Sequence, residues 1–238
     1  RVTHAFVVPT MLARIVDRLG DARDAGVPSL RALAYGGGRM PAPVIARALE
    51  LFPAVAFTNA YGLTETSSTL TLLGPEDHRS AAASADPQVR RRLGSVGRSL
   101  PSVEIEVRDT EGKPLPPGQR GEIHVRGEQV SGEYQGSRSR VGADGWFPTR
   151  DGGFVDEEGY LFVTGRIDDV IVRGGENLSP GEIEEVLHEH PDVADCAVVG
   201  VPDEQWGEAV AAAVVLHHGS QVTEQELRDW VKQHLRSS

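Results

Sequence analysis

This sequence has little of several things, and each shortage excludes something. There is one cysteine among 238 residues, Cys196, so no disulfide can form within the chain. A reducing, cytoplasmic setting is the expectation. Aromatic residues make up only 5% of the chain. No uninterrupted apolar run approaches the ~18 residues that a membrane-spanning helix needs, and the first residues lack the layout of a secretory signal. Positive charge is scarce, with 24 Lys and Arg against 35 Asp and Glu, for a net charge of -11 at pH 7. Without a basic face, a nucleic-acid partner is excluded. A small anion such as ATP is not, because backbone N–H groups and a metal can bind it inside an acidic protein. The eight histidines show no metal-ligand spacing; His188, His190, His217 and His218 read as surface or capping residues. There is no internal repeat, and no Gly-Lys-Ser or Gly-Lys-Thr phosphate loop.

What remains is the composition of a globular protein, 39% hydrophobic and 25% charged. Pro9-Thr10 opens a predicted helix with Leu12, Ile15, Val16 and Leu19 on one face. Leu30–Tyr35 reads as a buried strand running into Gly36-Gly37-Gly38. Pro41 then fits the first position of a helix with Val44, Ile45, Ala48, Leu49 and Phe52 as its apolar stripe. Val55–Thr58 is a further strand. This succession is that of an α/β layer. Residues 74–92 read as a loop or irregular helix. After them the period becomes 2: Val103, Ile105 and Val107, then a turn, then Ile123 and Val125 form a predicted hairpin. Tyr160–Val163 and Val170–Val172 are further predicted strands. The last part reads as an α+β module. Ser179 and Thr223 each start a capping box, and strands over Ala194–Val201 and Ala209–Leu216 lie between the two helices. The expected organisation is an α/β region over 1–95, an antiparallel β-barrel-like unit over 96–166, and an α+β module over 167–238.

Five stretches could carry chemistry, and each also has a plain structural reading. Gly36-Gly37-Gly38 could bring backbone N–H groups to an anionic or flat ligand, or simply make a tight turn. In NAYGLTET, Asn59 and Tyr61 could meet an adenine, Thr64 a phosphate oxygen, and Glu65 a Mg²⁺ ion. The same residues could equally form a solvated polar turn. Asp151, read as lying in a glycine-flanked loop, could accept hydrogen bonds from a ribose diol, with Arg166 as a fixed cation nearby; D-G-G is also good turn chemistry. Asp168 and Asp169, between two apolar strands, could form a hinge or an ordinary loop. Gly174-Gly175 could let a narrow ligand pass, or form a hairpin turn.

Taken in order, VTHAFVVPTML, AYGGGRMP, NAYGLTETSS, GSVGRSLP, GWFPTRDGGFVDEEGYLFVTGRIDDVIVRGGENLSPGEIEEVL and VVGVPDEQWGEAVAAAVV resemble the motifs of the adenylate-forming superfamily, in its acyl-CoA synthetase branch. The resemblance implies that a carboxylic acid, fatty or otherwise apolar, is activated by ATP to an acyl-adenylate and then passed to coenzyme A. It implies Thr64 on the phosphate, Glu65 on Mg²⁺, and Asn59 and Tyr61 on the adenine. Gly37 and Gly38 line the adenine and acyl pockets, and Asp151 and Arg166 bind the ribose. Asp168 becomes the hinge, Gly174 and Gly175 border the pantetheine channel, and Trp206 contacts coenzyme A. His4 falls in the segment that shapes the acyl pocket. Alternatives are an amino-acid adenylation domain and a non-catalytic nucleotide-binding remnant. In that family a Ser/Thr/Gly-rich loop with a lysine lies upstream, and a catalytic lysine lies near the C-terminus. Neither falls within residues 1–238, and Lys232, in a predicted helix, does not match. The sequence is therefore read as the C-terminal portion of a longer enzyme, inactive alone, with exposed strand edges that could support a homo-oligomer. Arg150 also departs from the pattern, which has Gly before the ribose-binding Asp.

Overall fold

The computed structural model describes residues 1–131 and 140–235. Residues 132–139 of the expected β unit lie outside the described residues. The chain divides into two compact units, Arg1–Val163 and Thr164–Ser238.

The first unit begins with β1 (His4–Val7), α1 (Pro9–Leu19), β2 (Ala32–Gly36), α2 (Ala42–Leu51) and β3 (Ala56–Leu63). β1, β2 and β3 pair in parallel, as strands joined by helical crossovers do. The chain then turns back: β4 (Ser68–Leu73) pairs antiparallel with β3, and after α3 (Pro75–Ala83) and α4 (Pro87–Arg90), β5 (Arg98–Ser99) closes the order β1-β2-β3-β4-β5. Helices and sheet meet over Leu12, Leu33, Tyr35, Ile45, Ala48, Leu51 and Phe57. The apolar stripe of α2 buries as its spacing predicts. That of α1 is narrower, because Leu12 is buried while Ile15 faces solvent. Pro41 is the N-cap position of α2 and not its first helical residue, so the helix starts at Ala42, one residue after the expected start.

Four more strands, β6 (Val103–Arg108), β7 (Gly121–Gly127), β8 (Phe147–Val155) and β9 (Leu161–Arg166), form a sheet in that order, with β6, β7 and β8 antiparallel. Its inner residues Val103, Ile123, Val125, Phe147 and Leu161 share a core with Leu70 of β4, so the two sheets are packed as one body. Two expectations fail here. The strand expected to end at Thr58 continues to Leu63, so most of the site motif is strand and only Thr64–Thr66 forms a single 3₁₀ turn. Asp151 lies within β8, not in a loop. The helices at 75–83 and 87–90 also give regular structure to part of the segment read as a loop or irregular helix.

In the second unit, β10 (Ile171–Arg173), β11 (Glu176–Leu178), β12 (Val193–Asp203) and β13 (Gly207–Leu216) form a sheet in the order β11-β10-β13-β12. α5 (Pro180–His188) and α6 (Glu224–His234) belong to the same unit. Ile171, Leu187, Val193, Val198 and Leu227 form the core. The capping box expected at Thr223 is present: Thr223 Oγ1 accepts from Glu226 N at 3.3 Å, and Glu226 Oε2 accepts from Thr223 N at 2.8 Å. That expected at Ser179 is not, because its hydroxyl donates to Thr164 O at 3.1 Å instead. His190, read as a surface or capping residue, is half-buried just past the end of α5, where its Nδ1 accepts from Asp192 N at 3.2 Å. Its ring packs edge-on against Trp230, with centroids 4.9 Å apart.

Candidate nucleotide site

The site is built where β3 leaves the parallel sheet. The stretch NAYGL is extended; Asn59 is buried and Tyr61 half-buried, and Gly62 lies against β4. A Cβ on Gly62 would stand 1.5 Å from Ser68 O, so only glycine lets β4 pass this close. The register between β3 and β4 shifts at Tyr61/Gly62, and Ser67 and Ser68 adopt φ of 52° and 92° to make the return. Thr66, fully buried, pins this corner. Its hydroxyl accepts from Leu63 N at 3.0 Å and faces the carbonyls of Leu63 and Ser68 at 3.0 and 3.1 Å. Gln129 Nε2 donates to Thr66 O at 2.9 Å and Thr69 O at 2.7 Å, and Ser131 N donates to Glu65 O at 3.0 Å. The backbone of Thr64–Thr66 is thus held from outside as well as from within. Exposed Thr64 and half-buried Glu65 project from a fixed turn.

Asp151 reaches the same place from β8. Tyr61 donates its phenolic proton to Asp151 Oδ2 at 2.6 Å, across 90 residues of sequence. That is the length of a charge-assisted O–H···O⁻ bond. Asp151 is 6% exposed. Its backbone N–H donates to Thr149 Oγ1 at 3.1 Å, and that hydroxyl donates to Ile123 O at 2.8 Å. The preceding residue, Arg150, holds φ at 65°, the left-handed region where glycine is at ease, and its N–H donates to Glu122 Oε1. The Arg that departs from the family pattern therefore stands where a glycine conformation is required.

Of the other expected residues in this unit, Asn59 is 6% exposed and its amide donates to Ser95 O at 3.2 Å. Gly37 and Gly38 are exposed in the turn after β2. A Cβ on Gly38 would only touch Pro9, 3.7 Å away, whereas one on Gly36 would meet Ala60 O at 2.4 Å. The close approach is at Gly36. His4 is exposed on β1. Behind the glycine turn lies a pair that sequence reasoning missed. Tyr35 and His78 are both fully buried, with Tyr35 Oη 2.8 Å from His78 Nε2 and His78 Nδ1 2.8 Å from Gly74 O. The Gly74 carbonyl can only accept, so Nδ1 carries the proton and Nε2 accepts from the phenol. Burial holds the histidine below its ordinary pKa and pushes the Tyr35 phenol up. No pairing signal in the sequence links positions 35 and 78.

The second unit carries the remaining expected residues. Arg166 and Asp168 are exposed at the end of β9 and in the 3₁₀ turn Ile167–Asp169. Gly174 and Gly175 form the β10–β11 hairpin turn, with φ of 59° and 90°. Trp206 lies against that turn: a Cβ on Gly174 would be 2.7 Å from its ring, and the Arg173 guanidinium sits 5.0 Å from the ring centroid. The structure therefore brings Gly174, Trp206 and Arg173 together. Among the described residues there is no group of three His, Cys, Asp or Glu that could hold a metal ion by itself.

Residues 1–135 match the model of AMP-binding enzymes, and residues 182–237 that of the AMP-binding enzyme C-terminal domain. The chain belongs to the AMP-binding enzyme family. Among curated relatives, the chain is 37% identical over 238 residues to a feruloyl-CoA synthase from an Amycolatopsis species, covering 99% of the chain and 46% of the relative. It is 37% identical to a 2-succinylbenzoate–CoA ligase from Bacillus cereus, covering 98% and 45%. The amide bond synthetase McbA from Marinactinospora thermotolerans superimposes with a TM-score of 0.86 at 38% identity, over 99% of this chain and 46% of that one. The o-succinylbenzoate CoA synthetase from Bacillus subtilis, in complex with ATP and magnesium, superimposes with a TM-score of 0.77 at 34% identity, over 98% and 45%. The chain thus spans about half the length of the relatives it matches. The resemblance read from its motifs is correct, as is the mixed α/β fold class. Among the described residues no helix is long and apolar enough to cross a membrane.

Proposed function

We propose that this chain supplies the nucleotide-holding part of an AMP-forming acid–thiol ligase. A carboxylate oxygen of the acid attacks the α-phosphorus of ATP, and the bond to pyrophosphate breaks, giving an acyl-adenylate. The sulfur of coenzyme A then bonds to the acyl carbon and AMP leaves. The single observation that carries this reading is the 2.6 Å bond between Tyr61 and Asp151, which puts a phenol ring and a fixed carboxylate side by side at the end of a sheet. A ring can stack on adenine, and a carboxylate can accept from ribose hydroxyls.

In this reading Thr64 donates to the α-phosphate from its pinned turn, and Asn59, Gly37 and Gly38 border the base and the acyl group. Charge grows on the phosphate oxygens during the first step, so donors fixed beforehand act there without reorganisation. Mg²⁺ fits the residues present only as a nucleotide-borne ion. Glu65 offers one hard oxygen, and phosphate oxygens and water complete such a shell as they commonly do. When bound, it would neutralise phosphate charge. Arg166 is proposed for the ribose or phosphate and Asp168 for the hinge between half-reactions. Gly174, Gly175 and Trp206 are proposed for coenzyme A. The three-part organisation 1–95, 96–166 and 167–238 belongs to the same proposal, as do an apolar acid, a cytoplasmic location and a homo-oligomeric state.

A second reading keeps the first step and replaces the thiol by an amine, favoured by the likeness to the amide bond synthetase. The test has two parts. AMP titrated into the chain should bind at one site, and Asp151→Ala should weaken it at least about tenfold, the loss expected for hydrogen bonds to a charged group. With a chain of the relatives' full length, mass spectrometry of the product distinguishes a thioester from an amide. Absence of AMP binding by the unsubstituted chain would overturn the reading.

A further inference from the structure

Arg173 ends β10 and is half-buried. A carboxylate stands directly opposite it, that of Glu176 across the two-residue turn. The Arg173 guanidinium does not take it. It lies instead over the indole of Trp206, 5.0 Å from the ring centroid, and makes no ion pair or hydrogen bond with any of the described residues. A contact with a ring takes up no acceptor, so the N–H donors of the guanidinium remain to be satisfied. The ring beneath is fixed by both neighbouring turns. Asp203 Oδ1 accepts from Trp206 N at 2.9 Å, and Gly174 N donates to Trp206 O at 2.8 Å. Next in the chain, Gly175 is exposed, with φ of 90°. A Cβ there would meet nothing within 4 Å, and its N–H donates to no group among the described residues. Open space thus adjoins a backbone donor and a cation held over a fixed ring. We infer that Arg173 and the Gly175 N–H form a phosphate-binding site, and that the phosphate belongs to coenzyme A. This rests on the coenzyme A reading of the glycine turn above and deepens it.

The chemistry matches the donors. A guanidinium presents a planar fork that fits two phosphate oxygens at once, and a backbone N–H beside it adds a third donor without side-chain entropy. Holding the fork over the indole beforehand lowers the ordering cost of binding. The plainer role is cover: Trp206 is 43% exposed, and an arginine stem can shield an indole from water. The two roles differ in what they predict. Cover depends on apolar bulk and is indifferent to the ligand's charge. A phosphate site depends on the cation and is indifferent to ligands without phosphate.

The experiment titrates coenzyme A and pantetheine into the whole chain and into Arg173→Met, which keeps apolar cover on the ring and removes the charge. Thermal melting checks that the variant is folded. Arg173→Met should weaken coenzyme A by about tenfold, the scale of one hydrogen bond to a charged group, and leave pantetheine, which has no phosphate, unchanged. Arg173→Lys should recover part of the loss, because it restores the charge without the fork. Unchanged coenzyme A affinity in Arg173→Met, or an equal loss for pantetheine, would overturn the inference while the functional reading stands. If the unsubstituted chain binds no coenzyme A, the functional reading fails at its second step, and inorganic pyrophosphate decides the inference. Followed by NMR, the indole N–H signal of Trp206 should move as pyrophosphate is added to the unsubstituted chain and stay still in Arg173→Met. A signal that moves in neither, or equally in both, would overturn the phosphate site.

Discussion

Gly62 and Arg150 are opposite cases of one rule. At Gly62 the backbone of β4 occupies the space of a side chain, so Gly62→Ala must push Ser68 away or unpair the strands. Overpacking of this severity should cost about 3 kcal/mol or more, read from denaturant unfolding. At Arg150 a side chain is present where φ of 65° favours none. Arg150→Gly should raise stability by about 1 kcal/mol, the order of the left-handed penalty for an ordinary residue; a lower stability would mean that the Arg side chain's own contacts outweigh the strain. His78 offers a third residue-scale test. Burial holds the folded ring below its ordinary pKa, so the unfolded chain binds a proton more readily. Stability is therefore full above about pH 6.5, falls as the pH drops below it, and levels off once the folded value is passed. The slope in that window should not exceed about 1.4 kcal/mol per pH unit. His78→Gln should flatten the slope measured between pH 7 and 5.

At the scale of elements, the two predicted capping boxes have the same sequence signature and different fates. Thr223 and Glu226 cap α6 reciprocally, and the backbone N–H of Thr223 holds the Glu226 carboxyl below the usual carboxylate range. Thr223→Ala should lower the stability of the second unit by about 1 kcal/mol. The contribution of the Glu226 carboxylate is present at neutral pH and is lost as the pH falls through its depressed value. Ser179 spends its hydroxyl on Thr164 instead, so tertiary context overrode a good local signal. Helices with clear 3.6-residue stripes were legible, as were strands of period 2. What was not legible was extended backbone written in turn-like residues: Gly62 within β3, and Asp151, Gly152 and Gly153 within β8. Their strand state comes from pairing with β4 and β7, which no local pattern reveals. β4 was missed too: Ser68–Leu73 alternates only over Thr69–Leu72, and its burial does not follow that alternation, since Thr71 is buried and Leu72 exposed.

At the scale of the molecule, the candidate residues fall into two groups, each within one compact unit. The residue types at the site could be named from the sequence, but the bond between positions 61 and 151 could not, because the two positions are 90 residues apart. Arg166 aside, which is proposed for the ribose or phosphate, substitutions should sort by unit if the groups have separate ligands. Trp206→Ala, which removes the ring packed on the β10–β11 turn, should weaken coenzyme A binding by about 1 to 3 kcal/mol, the scale of one stacked aromatic contact, and leave AMP binding unchanged. The most direct test of the whole account is calorimetric titration of AMP into the chain and into Asp151→Ala. The account predicts one saturable site in the first and a loss of at least about tenfold in the second. Equal affinity in both would contradict it.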